Sequence, residues 1–122
     1  ENEIAIPPIA SFESPELYYS VYLHELIHWT GTKSRMHREC FACYHNSKAA
    51  RAEEELIAEL GSAFLSAQLG LSPPLDTNVA YLQGWLKALK NDKRYLFKAA
   101  AAAQRACDYL WSLQPKSTTL AA

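Results

Sequence analysis

Apolar residues recur at helical spacing over most of the chain, and the exception is its beginning. The stretch EIAIPP, Glu3 to Pro8, alternates polar and apolar positions and ends in two prolines, which predicts one short strand at or near a sheet edge. From Pro15 the period becomes that of a helix. Ser14 is suited to cap it, Pro15 to open it, Glu16 to meet its positive end and Gly31 to close it in a left-handed conformation, so a helix is expected over about Pro15 to Thr30. The period is lost from Thr32 to His45, a long connection of the kind that often carries function. A second helix is expected from about Ser47 to Gly70, with Leu56, Leu60, Phe64 and Ala67 in one stripe and Pro73 and Pro74 just beyond. Val79, Leu82, Leu86 and Leu89 mark a third, capped by Asp76 or Thr77. Leu96, Ala100, Ala103, Cys107 and Leu110 mark a fourth, capped by Asn91 or Asp92 and stopped by Pro115. The expected fold is α+β and helix-dominated: a short, truncated sheet, the first helix and three further helices, in one domain over residues 1–115, with 116–122 a disordered tail.

Composition narrows the class. A chain of 122 residues, 49% hydrophobic and with a net charge of −1, supports one globular core and carries no domain-wide basic field to attract nucleic acid. Lys87, Lys90, Lys93, Arg94 and Lys98 form a local basic cluster, which on amphipathic helices reads first as a solvated face. Charge interrupts every apolar run well before the roughly 20 residues of a membrane span, so no membrane association is expected. Three cysteines, Cys40, Cys43 and Cys107, form no dense framework and point to a reducing, cytoplasmic setting. The chain opens at Glu1, midway into its strand, which predicts a piece of a longer protein with sequence missing on its N-terminal side.

The chemistry is concentrated in VYLHELIHWTG, Val21 to Gly31. His24 and His28 are one helical turn apart, so both imidazoles can reach one tetrahedral ion, while Glu25 is a quarter-turn away and can reach a water at the open metal position. Burying these three groups among Leu23, Leu26, Ile27 and Trp29 without a partner would cost several kcal/mol. A metal removes that cost. A third protein ligand is then required, and the second helix offers RAEEELIAELGSAFL. Glu55 and Glu59 lie one turn apart beside the apolar seam, with the small residues Ala58, Gly61, Ser62 and Ala63 allowing close helix approach. Glu55 is assigned as the ligand and Glu59 as the carboxylate bonded to the outer nitrogen of a ligating histidine, or the two in exchanged roles. Glu53 and Glu54 fit a solvated stripe.

These residues resemble a known family. FESPELYYSVYLHELIHWTGTKSRM, EELIAELGSAFLSAQLG and YLQGWLKALKNDKRYLFKAAAAAQRACDYL are similar to the zincin-like metallopeptidase domain of ArdC-type antirestriction proteins and related polyvalent proteins of plasmids and phages, over roughly Ile4 to Leu113. The resemblance implies one Zn2+, or another divalent transition metal such as Mn or Co, held by His24, His28 and a glutamate of the second helix. It implies peptide-bond hydrolysis by metal-activated water with Glu25 as general base, acting on a protein or peptide substrate. In this family the domain commonly follows a single-stranded-DNA-binding domain, so DNA contact is implied for a parent protein through a domain absent from this chain. Tyr44, His45 and Tyr81 are candidates for stabilising the oxyanion. The loop CFACYH is foreign to the resemblance, and Cys40, Cys43 and His45, with His37 the one donor left nearby for a fourth position, form part of a candidate second zinc site. The competing reading is a metal-stabilised, non-catalytic protein- or DNA-interaction module that acts in antirestriction by occlusion.

Overall fold

The structure, a computed structural model, describes residues 3–72 and 75–115, and of residues 75–77 the backbone alone. A 3-10 turn at Ile9–Ser11 precedes α1 (Pro15–Thr30), the short α2 (Glu39–Ala42), α3 (Lys48–Leu69), α4 (Leu75–Ala88) and α5 (Lys93–Ser112). No strand or sheet occurs among the described residues, which corrects the α+β expectation to an all-helical architecture. Residues 3–6 keep the alternation, with Ile4 and Ile6 half-buried and Glu3 and Ala5 exposed. Alternation sets which face is buried; a strand also needs a neighbour in a hydrogen-bonded ladder, and no described segment forms one with it. Among the described residues four further helices, not three, follow α1, because the long connection itself forms α2. The expected tail 116–122, Pro73 and Pro74, and the candidate caps Asp76 and Thr77 lie outside the described residues and side chains. Among the described residues no helix is long and apolar enough to cross a membrane.

The helix ends follow local chemistry. Ser14 accepts from the Leu17 N–H at 3.1 Å with Pro15 at the first helical position, and Ser47 accepts from the Ala50 N–H at 3.1 Å. Gly70 ends α3 in the left-handed region at φ 73°, and Asp92 caps α5 by accepting from the Arg94 N–H at 3.0 Å. Gly31 differs from expectation: it closes α1 at φ −80°, in the right-handed region. Its need for glycine is space, since a Cβ there would meet Arg38 Nη2 at 2.7 Å and Phe41 Cβ at 2.9 Å.

Helix α3 is the axis of the fold, packed by α1, α2, α4 and α5. Leu56 and Ile57 are adjacent, hence about 100° apart around the helix, and both are buried. The single stripe expected for α3 is therefore wrong: Leu60 and Phe64 are only half-buried and Ala67 is exposed. On α5 the buried face is Ala99, Ala102, Ala103, Ala106, Cys107 and Leu110, with Leu96 and Ala100 half-buried. The Cys107 thiol meets the Gly61 carbonyl at 3.6 Å. Where α1 crosses α3, a Cβ on Gly61 would lie 2.7 Å from both Cδ1 and Cγ1 of Ile27, so glycine lets the two helices close. Ile27 adjoins His28 in sequence, and Gly61 follows Glu59 by two residues on the helix that carries the facing carboxylates.

Candidate metal centre

His24 and His28 turn their Nε2 atoms toward each other at 3.1 Å. Glu55 reaches both, with Oε1 3.1 Å from His24 Nε2 and Oε2 3.3 Å from His28 Nε2. The donor atoms of these three residues lie within 4.8 Å of one another, and among the described residues this is the one group of three or more His, Cys, Asp or Glu that converges so. Ligands at about 2.0–2.1 Å in a tetrahedron stand about 3.3–3.4 Å apart, so the spacings match those of a closed donor face. Two neutral imidazoles and one carboxylate are an ordinary donor set for zinc and for neighbouring divalent transition metals.

The outer nitrogens have partners of unequal kind. Glu59 Oε2 is 3.5 Å from His24 Nδ1. Glu54 Oε2 is 2.9 Å from His28 Nδ1, and Glu54 is itself gripped by Arg38, with Nε on Oε1 at 2.9 Å and Nη2 on Oε2 at 2.7 Å. The Cys40 thiol donates to Glu54 Oε1 at 3.1 Å. Arg38 also donates to Thr30 Oγ1 at 2.7 Å and the Ile27 carbonyl at 2.9 Å. Glu54 is 0% exposed, which overturns its reading as part of a solvated stripe. Glu53 is half-buried and pairs with Lys98 at 3.3 Å, so one of the expected basic cluster is engaged. The signal for Glu54 was present: it stands one turn before Ala58 and two before Ser62, small residues on a helix-contact face, and a polar residue on that row must be buried with a partner.

These contacts make the pocket favour positive charge. Burial pulls His24 down, but hydrogen bonds and charge from Glu55 and Glu59 outweigh it and push the imidazole up to about 9. His28 is raised in the same way, against burial, by Glu54 and Glu55. Burial pushes Glu55 up, yet the hydrogen bonds of His24, His28 and Tyr44 hold it well below the usual carboxylate range. Glu54 is lowered too, Arg38 and His28 overcoming its burial.

Two cavities open on the donor set. One of about 190 Å³ is shared by Glu25, His28, Trp29, Thr32 and Phe41, with Ile4 and Ala5 of the extended N-terminal segment on its rim. The other, of about 480 Å³, has His24, Glu55 and Glu59 on one side and Phe12, Leu17, Val21, Tyr81 and Trp85 around the rest. Tyr81 is 54% exposed at its edge. The Tyr44 hydroxyl donates a short hydrogen bond to Glu55 Oε2, and burial together with that carboxylate pushes its pKa up to about 12. His45 is exposed and stacks edge-on to Tyr44 at 5.1 Å, facing a separate cavity with Ser47, Lys48 and Arg51. Cys40, Cys43, His37 and His45 are not brought together as a donor group. Cys40 instead serves Glu54, and burial beside that carboxylate raises its thiol pKa.

A family model described as a zincin-like metallopeptidase matches residues 1–102. The chain is 51% identical to the antirestriction protein ArdC of plasmid R388 in its metal-free crystal structure, with a TM-score of 0.67 over 88% of this chain and 38% of that one. Against the Mn(II)-bound crystal structure of the same protein the TM-score is 0.69 at 50% identity, covering 88% of this chain and 39% of that one. It is also 36% identical to the DNA primase TraC of Escherichia coli over 94% of its own length, which is 11% of that protein. The chain therefore spans well under half the length of each.

Proposed function

We propose a function from one premise: this chain belongs to the zincin-like metallopeptidase family. His24, His28 and Glu55 hold one divalent ion, taken here as zinc, and the chain hydrolyses peptide bonds. The observation that carries this reading is the convergence of the two Nε2 atoms and one carboxylate on a single face, with Glu25 in a cavity shared with His28. The bound ion supplies a Lewis acid that lowers the pKa of a water to about 7 and polarises a carbonyl. Glu25 takes the proton of the attacking water and passes it to the leaving amine, from a cavity it shares with His28. Glu59 holds the outer nitrogen of His24, and Tyr44 fixes the free rotation of the Glu55 carboxylate. The larger cavity seats an apolar side chain of the substrate: its walls away from the donor set are mainly Phe12, Leu17, Val21, Tyr81 and Trp85, with Ser20 and Asn78 as polar members, and among the described residues no lysine or arginine lines it. Tyr81, at its exposed edge, is the candidate oxyanion donor.

The likeness to ArdC supports an antirestriction role for the parent protein, and the Mn(II) bound to that relative supports a divalent transition metal here. The test is a mixed peptide library incubated with the zinc-loaded chain and read by mass spectrometry. Wild type should cut next to large apolar residues, and Glu25→Gln should retain zinc while losing about 10²–10⁴-fold in rate. No cleavage by loaded wild type, or undiminished cleavage by the variant, overturns the peptidase reading. In the parent protein, protection of DNA that survives Glu25→Gln would favour action by occlusion.

A further inference from the structure

Resting on the assignment of His24, His28 and Glu55 as a metal site, we propose that the buried Arg38–Glu54 pair positions His28 and sets the affinity of the site. Glu54 is fully buried and receives four donors: Arg38 Nε and Nη2, His28 Nδ1 and the Cys40 thiol. A buried ion pair gains little for stability over apolar residues of the same volume, because desolvation offsets the attraction. A pair kept at that cost and bonded to an imidazole has another use. Arg38 grips both Glu54 oxygens and at the same time donates to Thr30 Oγ1 and the Ile27 carbonyl. Those two anchors flank His28 on its own helix. The carboxylate is thus fixed relative to the helix that carries the imidazole, and it cannot rotate away from Nδ1. A carboxylate only accepts, so Nδ1 carries the proton and the Nε2 lone pair is aimed at His24 and Glu55.

The two histidines are held unequally as a result. His24 has the longer 3.5 Å contact with Glu59 and lines the large cavity, whereas His28 is bonded at 2.9 Å to a carboxylate locked from behind. Glu54 lines neither cavity at the donor set, so it touches no substrate and is a positioning residue.

The test measures Zn(II) affinity of the 122-residue chain by chelator competition and ligand geometry by the visible spectrum of the Co(II)-substituted form. Unfolding of each metal-free variant is followed alongside. Glu54→Gln keeps shape but loses the charge that Arg38 grips; it should bind Zn(II) about 10–100-fold more weakly and alter the Co(II) spectrum while remaining folded. Arg38→Lys, which cannot form the two-pronged contact, should shift affinity and spectrum the same way and decides the matter if Glu54→Gln does not fold. Glu53→Gln, whose partner is the exposed Lys98, should behave as wild type. Wild-type affinity and spectrum in both Glu54→Gln and Arg38→Lys overturn the proposal and leave the metal site standing. A folded wild type that binds no Zn(II) overturns the metal-site reading itself.

Discussion

The close approach of α1 to α3 at Gly61 can be tested by adding one methyl group. In Gly61→Ala the new Cβ would lie 2.7 Å from Ile27 Cδ1 and Cγ1 and 3.2 Å from Cγ2. Carbon atoms rest at about 3.5–4.0 Å, so one of the two must yield by close to 1 Å. Ile27 is 0% exposed and has no open side to move into. Overpacking of this kind costs about 1–3 kcal/mol, and the better helix propensity of alanine returns about 1 kcal/mol, leaving a net loss of up to about 2 kcal/mol. Ile27→Ala alone opens a cavity and should cost about 2–5 kcal/mol. The two changes together should cost less than their sum by at least the 1–3 kcal/mol of the clash, because the alanine methyl then enters space Ile27 has vacated. Urea unfolding of the metal-free single and double variants measures all three quantities. A Gly61→Ala variant about 1 kcal/mol more stable than wild type, with no coupling to position 27, would refute the close approach of α1 to α3.

Arg38→Met and Glu54→Met should each destabilise the metal-free chain by about 3–5 kcal/mol, since each strands a buried charge, whereas the double replacement should recover most of that in the same urea assay. Additive losses would show that the two do not pair in solution. Zinc at 100 times its Kd should raise wild-type stability by about 2.7 kcal/mol, and either a chelator or His24→Ala should remove the gain. The Cys107 thiol is pushed up to about 11 by burial, with the charge of Asp108 acting in the same direction, from an ordinary value of 9.0. The folded chain therefore keeps a proton that the unfolded chain releases: its contribution is intact below pH 9 and is lost as pH rises toward 11. Stability of Cys107→Ala across that range should fall less than that of wild type.

The parts of the fold that were legible in the sequence are those fixed by nearest neighbours. Ser14, Ser47, Gly70 and Asp92 end helices where their chemistry says they should, because a cap is satisfied within one turn. The buried face of α5 was harder to phase. An alanine run offers the same side chain at every angle, and contact with the neighbouring helices, chiefly α3, selects Ala99, Ala102 and Ala106. Helix α3 defeated the one-stripe reading for the opposite reason: four helices pack around it, so hydrophobic periodicity no longer marks a single face. The strand expected near Ile4 and the burial of Glu54 both depended on groups distant in sequence, a ladder neighbour in one case and Arg38 in the other. HELIH could be read because its spacing is itself the chemistry. Among its partners Glu54 was missed, while Glu55 could be assigned as ligand and Glu59 as the outer carboxylate, with the exchange left open.

The choice between those glutamates now rests on which nitrogen each one faces. His24 and His28 present Nε2 to each other, so on the proposed metal-site reading the ion would lie on the Nε2 side. Glu55 contacts both Nε2 atoms, at 3.1 and 3.3 Å, while Glu59 contacts only His24 Nδ1, at 3.5 Å, on the far edge of the ring. A carboxylate behind the ring can steady it but cannot reach the ion at the same time. The charges are compatible with this division: Arg38 matches Glu54, and on the proposed reading Glu25 is left as the carboxylate free to take a proton while a divalent cation would offset the charge of Glu55 and Glu59. Removing the charge of either should therefore weaken binding, and removing a ligand atom should weaken it far more. Glu59→Gln is expected to lose about 10–100-fold in Zn(II) affinity, the range for a group that steadies a ligand, and Glu55→Gln to lose more than that. Chelator competition on the two variants orders them. If Glu59→Gln proves the more damaging, the roles are exchanged, and α3 must turn in the metal-bound protein to bring Glu59 to the Nε2 side.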